Sequence, residues 1–293
     1  MQALSPRQLT TLVLLTAIWG LNWPIMKLGV TDFPPLTFRM LSMWLGLPVL
    51  WLVLRVTKVP LRIPREHWRE LFWLAFTNMF VLHSLIIVAI KSLSSGRAAI
   101  LGYTMPIFSA VLGALFFGNK LLPRAWAGVA AAGLGVVLLL WQELTNLTGS
   151  PLGVIEALVA AATWAVGTQM LRRTTLPVAT LTLSFWMMAL TAGAMTLLAA
   201  MFEPSQWKMP SNATWAAIIF NGVLVFGFAQ AAWFYLARGL PPVASTLSVM
   251  FIPILGVFSG AVWLREVLHW QDWTAMVLMV VAIGSVLAPG RRA

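Results

Sequence analysis

The clearest ionisable side chain near the middle of a long apolar run is His83. A titratable group at membrane depth is costly and therefore a candidate for function. An imidazole there could donate a hydrogen bond to a solute, act as a proton-sensitive gate, or bond a carbonyl of a neighbouring helix. His67 and His269 fall at the ends of apolar runs. No Asp or Glu stands mid-run, since Glu156 sits about one turn inside an edge. A pump whose central carboxylate binds protons and a cationic drug in turn would lack its carboxylate. An intramembrane hydrolase would lack both a nucleophile with its base and a pair of metal ligands at i and i+3 or i+4. Cysteine is absent, which removes disulfides, thiolate metal sites and cysteine nucleophiles. Neither a metal nor another cofactor is expected.

Uncharged polar groups recur at depth: Asn22, Thr77, Asn78, Tyr103, Thr104, Gln169, Asn221, Gln230 and Ser248. In lipid each needs a partner, so many should join helices and some should line a cavity. Of the 16 tryptophans, Trp51, Trp68, Trp126, Trp141, Trp207 and Trp273 fall where interfacial anchors belong. Trp19, Trp23, Trp164 and Trp233 are deeper, and the spacing of Trp19, Asn22 and Trp23 puts them on one helical face. That face could meet lipid, pack against a neighbour, or wall a pocket. Turned inward with Tyr103, Phe228 and Phe251, it would make an aromatic, uncharged cavity suited to a bulky, partly apolar, neutral or zwitterionic solute. The expected cavity set is Trp19, Asn22, Asn78, His83, Tyr103, Trp164, Gln230, Trp233 and Phe251.

These residues must be held by membrane-spanning helices. The 293 residues are 60% hydrophobic and 9% charged, outside the range of ordinary water-soluble domains. At ~20 residues per span the chain holds roughly ten helices and little else. Apolar windows lie at 10–30, 35–55, 69–90, 95–117 and 122–141, then at 152–172, 178–201, 213–236, 242–264 and 270–288. The first run lacks a small-residue cleavage site and reads as a retained helix. The net charge of +11 sits at the ends of apolar runs, so it speaks of topology rather than of nucleic acid. With the amino terminus cytoplasmic, most Lys and Arg fall inside, including Arg55, Arg62, Arg65, Arg124 and Arg172. The outside then holds Lys27, Arg39, Lys91, Arg97, Lys208 and Arg265 with most of the acids, among them Glu143, Glu203, Glu266 and Asp272. Both termini are expected in the cytoplasm.

Five spans per half means that two equivalent units in series enter the membrane from opposite sides. The stretch from Ala17 (Ala-Ile-Trp-Gly-Leu-Asn-Trp) aligns with that from Ala162 (Ala-Thr-Trp-Ala-Val-Gly-Thr). An offset of 147 then pairs His83 with Gln230, Tyr103 with Met250, Pro106 with Pro253 and Gly113 with Gly260. Pro106 and Pro253 are expected to bend matching helices, as hinges or as fixed kinks. Gly256 and Gly260 form a Gly-x-x-x-Gly step for close packing, with Ser109 and Gly113 at the equivalent places.

Ala17-Ile-Trp-Gly-Leu-Asn, followed by Pro34-Pro35-Leu36 and Arg39, resembles the opening of an EamA-type unit. Gly96-Arg97-Ala98-Ala99, Tyr103, Pro106, the Gly118 turn, Trp126-Ala127-Gly128 and Gly133-Leu134-Gly135 are similar to its ending, echoed by Pro253, Gly260, Glu266, Trp273 and Gly284. The family's Gly-Glu step after the fourth span is Gly118-Asn119 here, and the second half alone keeps the acid, as Arg265-Glu266. The resemblance implies the drug/metabolite transporter superfamily. Its fold would be all-α and integral to the membrane, ten helices as two inverted five-helix repeats at 1–145 and 146–293 around a central cavity worked by alternating access. The whole chain looks like the YddG-type exporters of aromatic amino acids in bacterial inner membranes. The resemblance thus implies an exporter rather than an enzyme, with amino-acid substrates ranked above drugs or amphiphilic metabolites. A lipid flippase would need groups to seize a phosphate head, and Lys91 and Arg97 alone lie near such a place. One copy of the fused chain suffices for transport.

Overall fold

A computed structural model describes residues 6–117, 121–145, 150–239 and 242–287, with the backbone alone at 6, 7, 117, 237–239, 242–250, 286 and 287. Among the described residues the chain forms ten helical rods and no strand, as a bilayer requires of a backbone that must satisfy its own hydrogen bonds. They are α1 (Pro6–Thr31), α2 (Pro35–Val56), α3 (Arg65–Ser92) and α4, which runs in two pieces, Ser95–Gly102 and Met105–Phe117. Then follow α5 (Pro123–Thr145), α6 (Pro151–Arg173) and α7 (Thr180–Phe202). The eighth rod, α8, joins Asn212–Ile219, Phe220–Ala229 and Gln230–Gly239, and α9 (Pro242–Leu264) and α10 (Trp270–Leu287) complete the set. Eight of these are long and apolar enough to cross a membrane by themselves, and α9 contributes the shorter apolar stretch Phe251–Leu264.

The helices pack as two interlocked halves. The contacts α1–α9, α2–α8 and α3–α6 have counterparts in α6–α4, α7–α3 and α8–α1, while α2–α7 and α5–α10 map onto themselves when the halves are exchanged. That correspondence is the signature of two repeats about a pseudo-two-fold axis, and their odd helix number makes them inverted. Large apolar side chains such as Val13, Trp44, Leu52, Leu197 and Val262 face outward, whereas the interior favours small or flexible ones such as Ala99, Ala160, Met187 and Ala192. The Gly-x-x-x-Gly step of α9 lies on α4: a Cβ on Gly256 would stand 2.8 Å from that of Ala99, and one on Gly260 2.2 Å from Ser95 Oγ. At the equivalent contact, Gln169 of α6 donates to Ser109 of α4, to the carbonyl at 3.0 Å and the hydroxyl at 2.9 Å.

Both third helices of the halves widen into π-helix at matching places, Phe76–Phe80 in α3 and Phe220–Ala229 in α8. Such turns are rare and shift the register of the side chains that follow. The prolines behave less symmetrically than expected. Pro253 stays inside continuous α9, but α4 breaks at Tyr103 and Thr104 and resumes at Met105, so Pro106 sits in a first helical turn. A missing N–H costs nothing there, and the chain at that point is interrupted rather than kinked.

Candidate functional site

The central cavity is built outward from one face of α1. Trp19, Asn22, Trp23 and Met26 follow the i, i+3, i+4, i+7 stripe and all line it. Opposite stand Leu82, His83 and Ile86 of α3, Gly102 and Tyr103 at the break in α4, Trp164 of α6, Val225 and Gln230 of α8, and Arg39 of α2. The void is narrow, with about 60 Å³ open to the centre of a water-sized sphere.

One end is aromatic. Trp19 and Trp164, which occupy equivalent positions in the two halves, meet at 5.8 Å between ring centroids. Trp233 packs on both, at 5.6 and 5.7 Å, and Tyr103 touches Trp23 and Trp164 at 6.1 Å each. The broken helix serves this wall, because a Cβ on Gly102 would come within 2.8 Å of the Trp23 indole.

The other end carries a charge. Arg39 is only 1% exposed, yet the atoms around it are neutral. Its Nη1 donates a long bond of 3.4 Å to Asn221 Oδ1, its Nη2 stands 2.8 Å from Met26 Sδ, and its guanidinium lies 5.3 Å from the centre of the Phe226 ring. Its Nε has no partner. Glu203 holds the helix start that positions it, accepting from the Leu36 and Thr37 amides at 2.9 and 2.7 Å. A carboxylate at a helix N-terminus satisfies otherwise open amides and complements the helix dipole.

His83 stands edge-on to the same Phe226 ring at 5.1 Å. Neither ring nitrogen bonds a backbone carbonyl, and the side chain of Gln230 lies beside it. Asn22 Oδ1, Trp164 Nε1 and Gln230 Nε2 are also buried and unpartnered, as is Trp233 Nε1 just behind the wall. Buried polar atoms are normally paired. Their gathering around one void marks a place prepared for a polar solute or for water.

Trp19, Asn22, His83, Tyr103, Trp164 and Gln230 therefore line the cavity as the residue pattern suggested. Three members of the expected set do not. Asn78 is fully buried against Gly167 of α6, its amide bonded to the Leu74 carbonyl at 3.1 Å, because the π turn aims it at the helix interface. Trp233 supports the tryptophan cluster from outside the lining. Phe251 is 54% exposed and sits beside Leu9, Val13 and Leu255 on the outer surface. Phe228 likewise lines a peripheral groove with Thr11 and Tyr235. Ser248 and Met250 fall where the backbone alone is described, and Gly118 and Asn119 lie outside the described residues.

The larger correction concerns charge. Among the described residues the cavity has no carboxylate in its lining, but it is not uncharged. Arg39 and Arg97, assigned to the outer side of the membrane, are both buried, as are Glu143, Glu203 and Asp272. A sequence signal for Arg39 existed: it shares a helical stripe with Ser42, Met43 and Gly46, all buried, and not with lipid-facing Trp44 and Trp51. Arg97 bonds Asp272, with Nε 2.7 Å from Oδ1, and also pairs with Glu143. Glu266, the acid retained after the ninth helix, caps α4 by accepting from the Ser95 and Gly96 amides at 2.7 and 3.2 Å.

The model of the EamA-like transporter family matches this chain twice, over residues 8–141 and 151–288. The chain belongs to that family. It is 29% identical over 91% of its length to an uncharacterized inner membrane transporter, YedA, of Escherichia coli strain K12, of which it covers 86%. It is 26% identical over 92% of its length to a probable amino-acid metabolite efflux pump of Salmonella typhimurium, of which it covers 91%. A crystal structure with 23% identity superposes at a TM-score of 0.70 over 97% of this chain and 99% of the other, which shows a common fold. This chain is thus a multi-pass membrane protein of the EamA-like transporter family, built of two repeats.

Proposed function

We propose that this transporter exports amino acids, bulky neutral and aromatic ones first, by alternating access to the central cavity. The observation that carries the reading is the convergence of unpartnered polar groups, Asn22, Arg39, His83, Trp164 and Gln230, on a void walled by Trp19, Trp23 and Tyr103. An aromatic side chain can stack in the tryptophan cluster while a polar backbone meets the donors and acceptor. The efflux-pump relative supports the same substrate class. In this reading the halves 1–145 and 146–293 rock about the cavity, both termini are cytoplasmic, and one copy suffices. Among the described residues no carboxylate lines the cavity, which favours facilitated movement down a gradient over proton exchange. No catalytic group is assigned.

The flippase alternative loses one of its two headgroup candidates, because Arg97 is held by Asp272 and Glu143, while Lys91 stays exposed. The test is uptake of labelled neutral, aromatic, acidic and basic amino acids into vesicles carrying the purified protein. Faster entry of phenylalanine or tryptophan than into protein-free vesicles is expected. No enhancement for any amino acid, with uptake of amphiphilic drugs instead, would replace this reading with general efflux. Concentration of solute only under an imposed pH gradient would overturn the facilitated mode.

A further inference from the structure

We infer that Arg39 is the seat of a ligand carboxylate, so that the cavity selects solutes by an acid group at one end and an aromatic body at the other, with the amino group tolerated rather than required. The inference rests on the cavity being the transport site.

A buried guanidinium is expensive unless its charge is balanced. Among the described residues Arg39 has no carboxylate partner, and the buried acids are committed elsewhere: Glu143 and Asp272 to Arg97, Glu203 to the start of α2. Phe226 and Asn221 supply weak neutral contacts, and Nε is left open. The fold thus keeps a cation at the wall of a void and withholds its counter-ion, and a carboxylate from the solute completes the arrangement. Guanidinium and carboxylate are both planar and can share paired hydrogen bonds.

The remaining open atoms point the same way. Gln230, beside His83, carries an amide donor that suits an acceptor oxygen, whereas Asn22 Oδ1 is an acceptor and the evident place for an ammonium. That acceptor is neutral. A monocarboxylate cancels the charge of Arg39, but a zwitterion restores one positive charge that no lining carboxylate balances. An acid lacking the amino group should therefore bind at least as well as the amino acid. The dimensions agree: Met26, against Arg39, and Trp19, in the tryptophan cluster, are seven residues apart on α1, about 10 Å along its axis. That span accommodates an indole and a carboxylate joined by a short chain.

The experiment is ligand-induced thermal stabilisation and calorimetric titration of the purified full-length protein in detergent, with L-tryptophan, indole-3-propionate, L-tryptophanamide and tryptamine. The two carboxylates should bind about 10- to 100-fold more tightly than the amide and the amine. Arg39→Met should erase that difference while the unliganded variant stays folded, and Arg39→Lys should retain part of it. Equal binding of acid, amide and amine by the unaltered protein overturns the inference, as does binding of none of the four; neither result depends on any variant folding. An acid preference that survives Arg39→Met overturns it as well. Uptake of tryptophan without an acid preference would leave amino-acid export standing and remove the role of Arg39. Arg39-dependent binding of indole-3-propionate with no binding or uptake of tryptophan would do the reverse.

Discussion

Two arginines stand in nearly the same setting and are used in opposite ways. Arg39 lies about one turn into α2, whose first amides are held by Glu203; Arg97 lies in the first turn of α4, whose first amides are held by Glu266. Both are buried. Arg97 is enclosed by Glu143 of α5 and Asp272 of α10, so its charge joins three helices from both halves. Those acids are themselves anchored, since Glu143 accepts from the Ser150 amide at 2.6 Å and Asp272 from the His269 amide at 2.8 Å. Arg39 meets only a thioether, an amide oxygen and a ring. The same side chain is a structural tie where the fold supplies anions and an open binding group where it withholds them.

The most damaging way to test that contrast is Arg97→Met. It leaves two buried carboxylates without their cation and should cost about 3–5 kcal/mol, read as a large fall in thermal stability of the purified protein. A variant as stable as the parent would deny the tie. Next comes Gly260→Ala, whose new Cβ would fall 2.2 Å from Ser95 Oγ and 2.6 Å from Glu266 Oε2, spoiling the cap at the start of α4. A loss of about 1–3 kcal/mol is expected. Gly193→Ala, in α7 with no atom within 4 Å of the added carbon, is the control and should be neutral or slightly stabilising.

Arg39→Met should reverse the sign seen at Arg97. Removing an unbalanced buried cation leaves the unliganded protein at least as heat-stable as the parent, and a pronounced fall in melting temperature would make Arg39 a second structural tie. The smallest effect belongs to His83→Phe. Its ring packs edge-on against Phe226 and no backbone carbonyl holds it, so stability should change by less than about 1 kcal/mol, while the loss of one polar group from the cavity should lower labelled amino-acid uptake several-fold. Abolished uptake with an intact fold would move His83 to the centre of the mechanism.

Much of the architecture was legible in order along the chain. Uninterrupted apolar windows locate helices because lipid leaves the backbone no other way to pair its polar groups. An odd number per half dictates inversion, and the i, i+3, i+4 spacing of Trp19, Asn22 and Trp23 already put them on one face, whose place at the cavity only the tertiary packing decided. Phe251 and Asn78 were misplaced because the rotation of each helix about its own axis depends on its neighbours. The widened turn at Phe76–Phe80 changes that rotation in a way no apolar pattern records.

Charge was the least legible property. A tally of charges by membrane side says nothing of burial, and Arg97, Glu143, Glu203 and Asp272 find their partners on other helices or at other helix starts. Composition and periodicity determined that this is a ten-helix membrane protein, because span lengths are local consequences of the solvent around each segment. Only the tertiary structure decided which buried arginine has counter-ions. Ion pairing depends on residues far apart in sequence, Arg97 with Asp272 and Arg39 with none, and on nothing either side chain carries by itself.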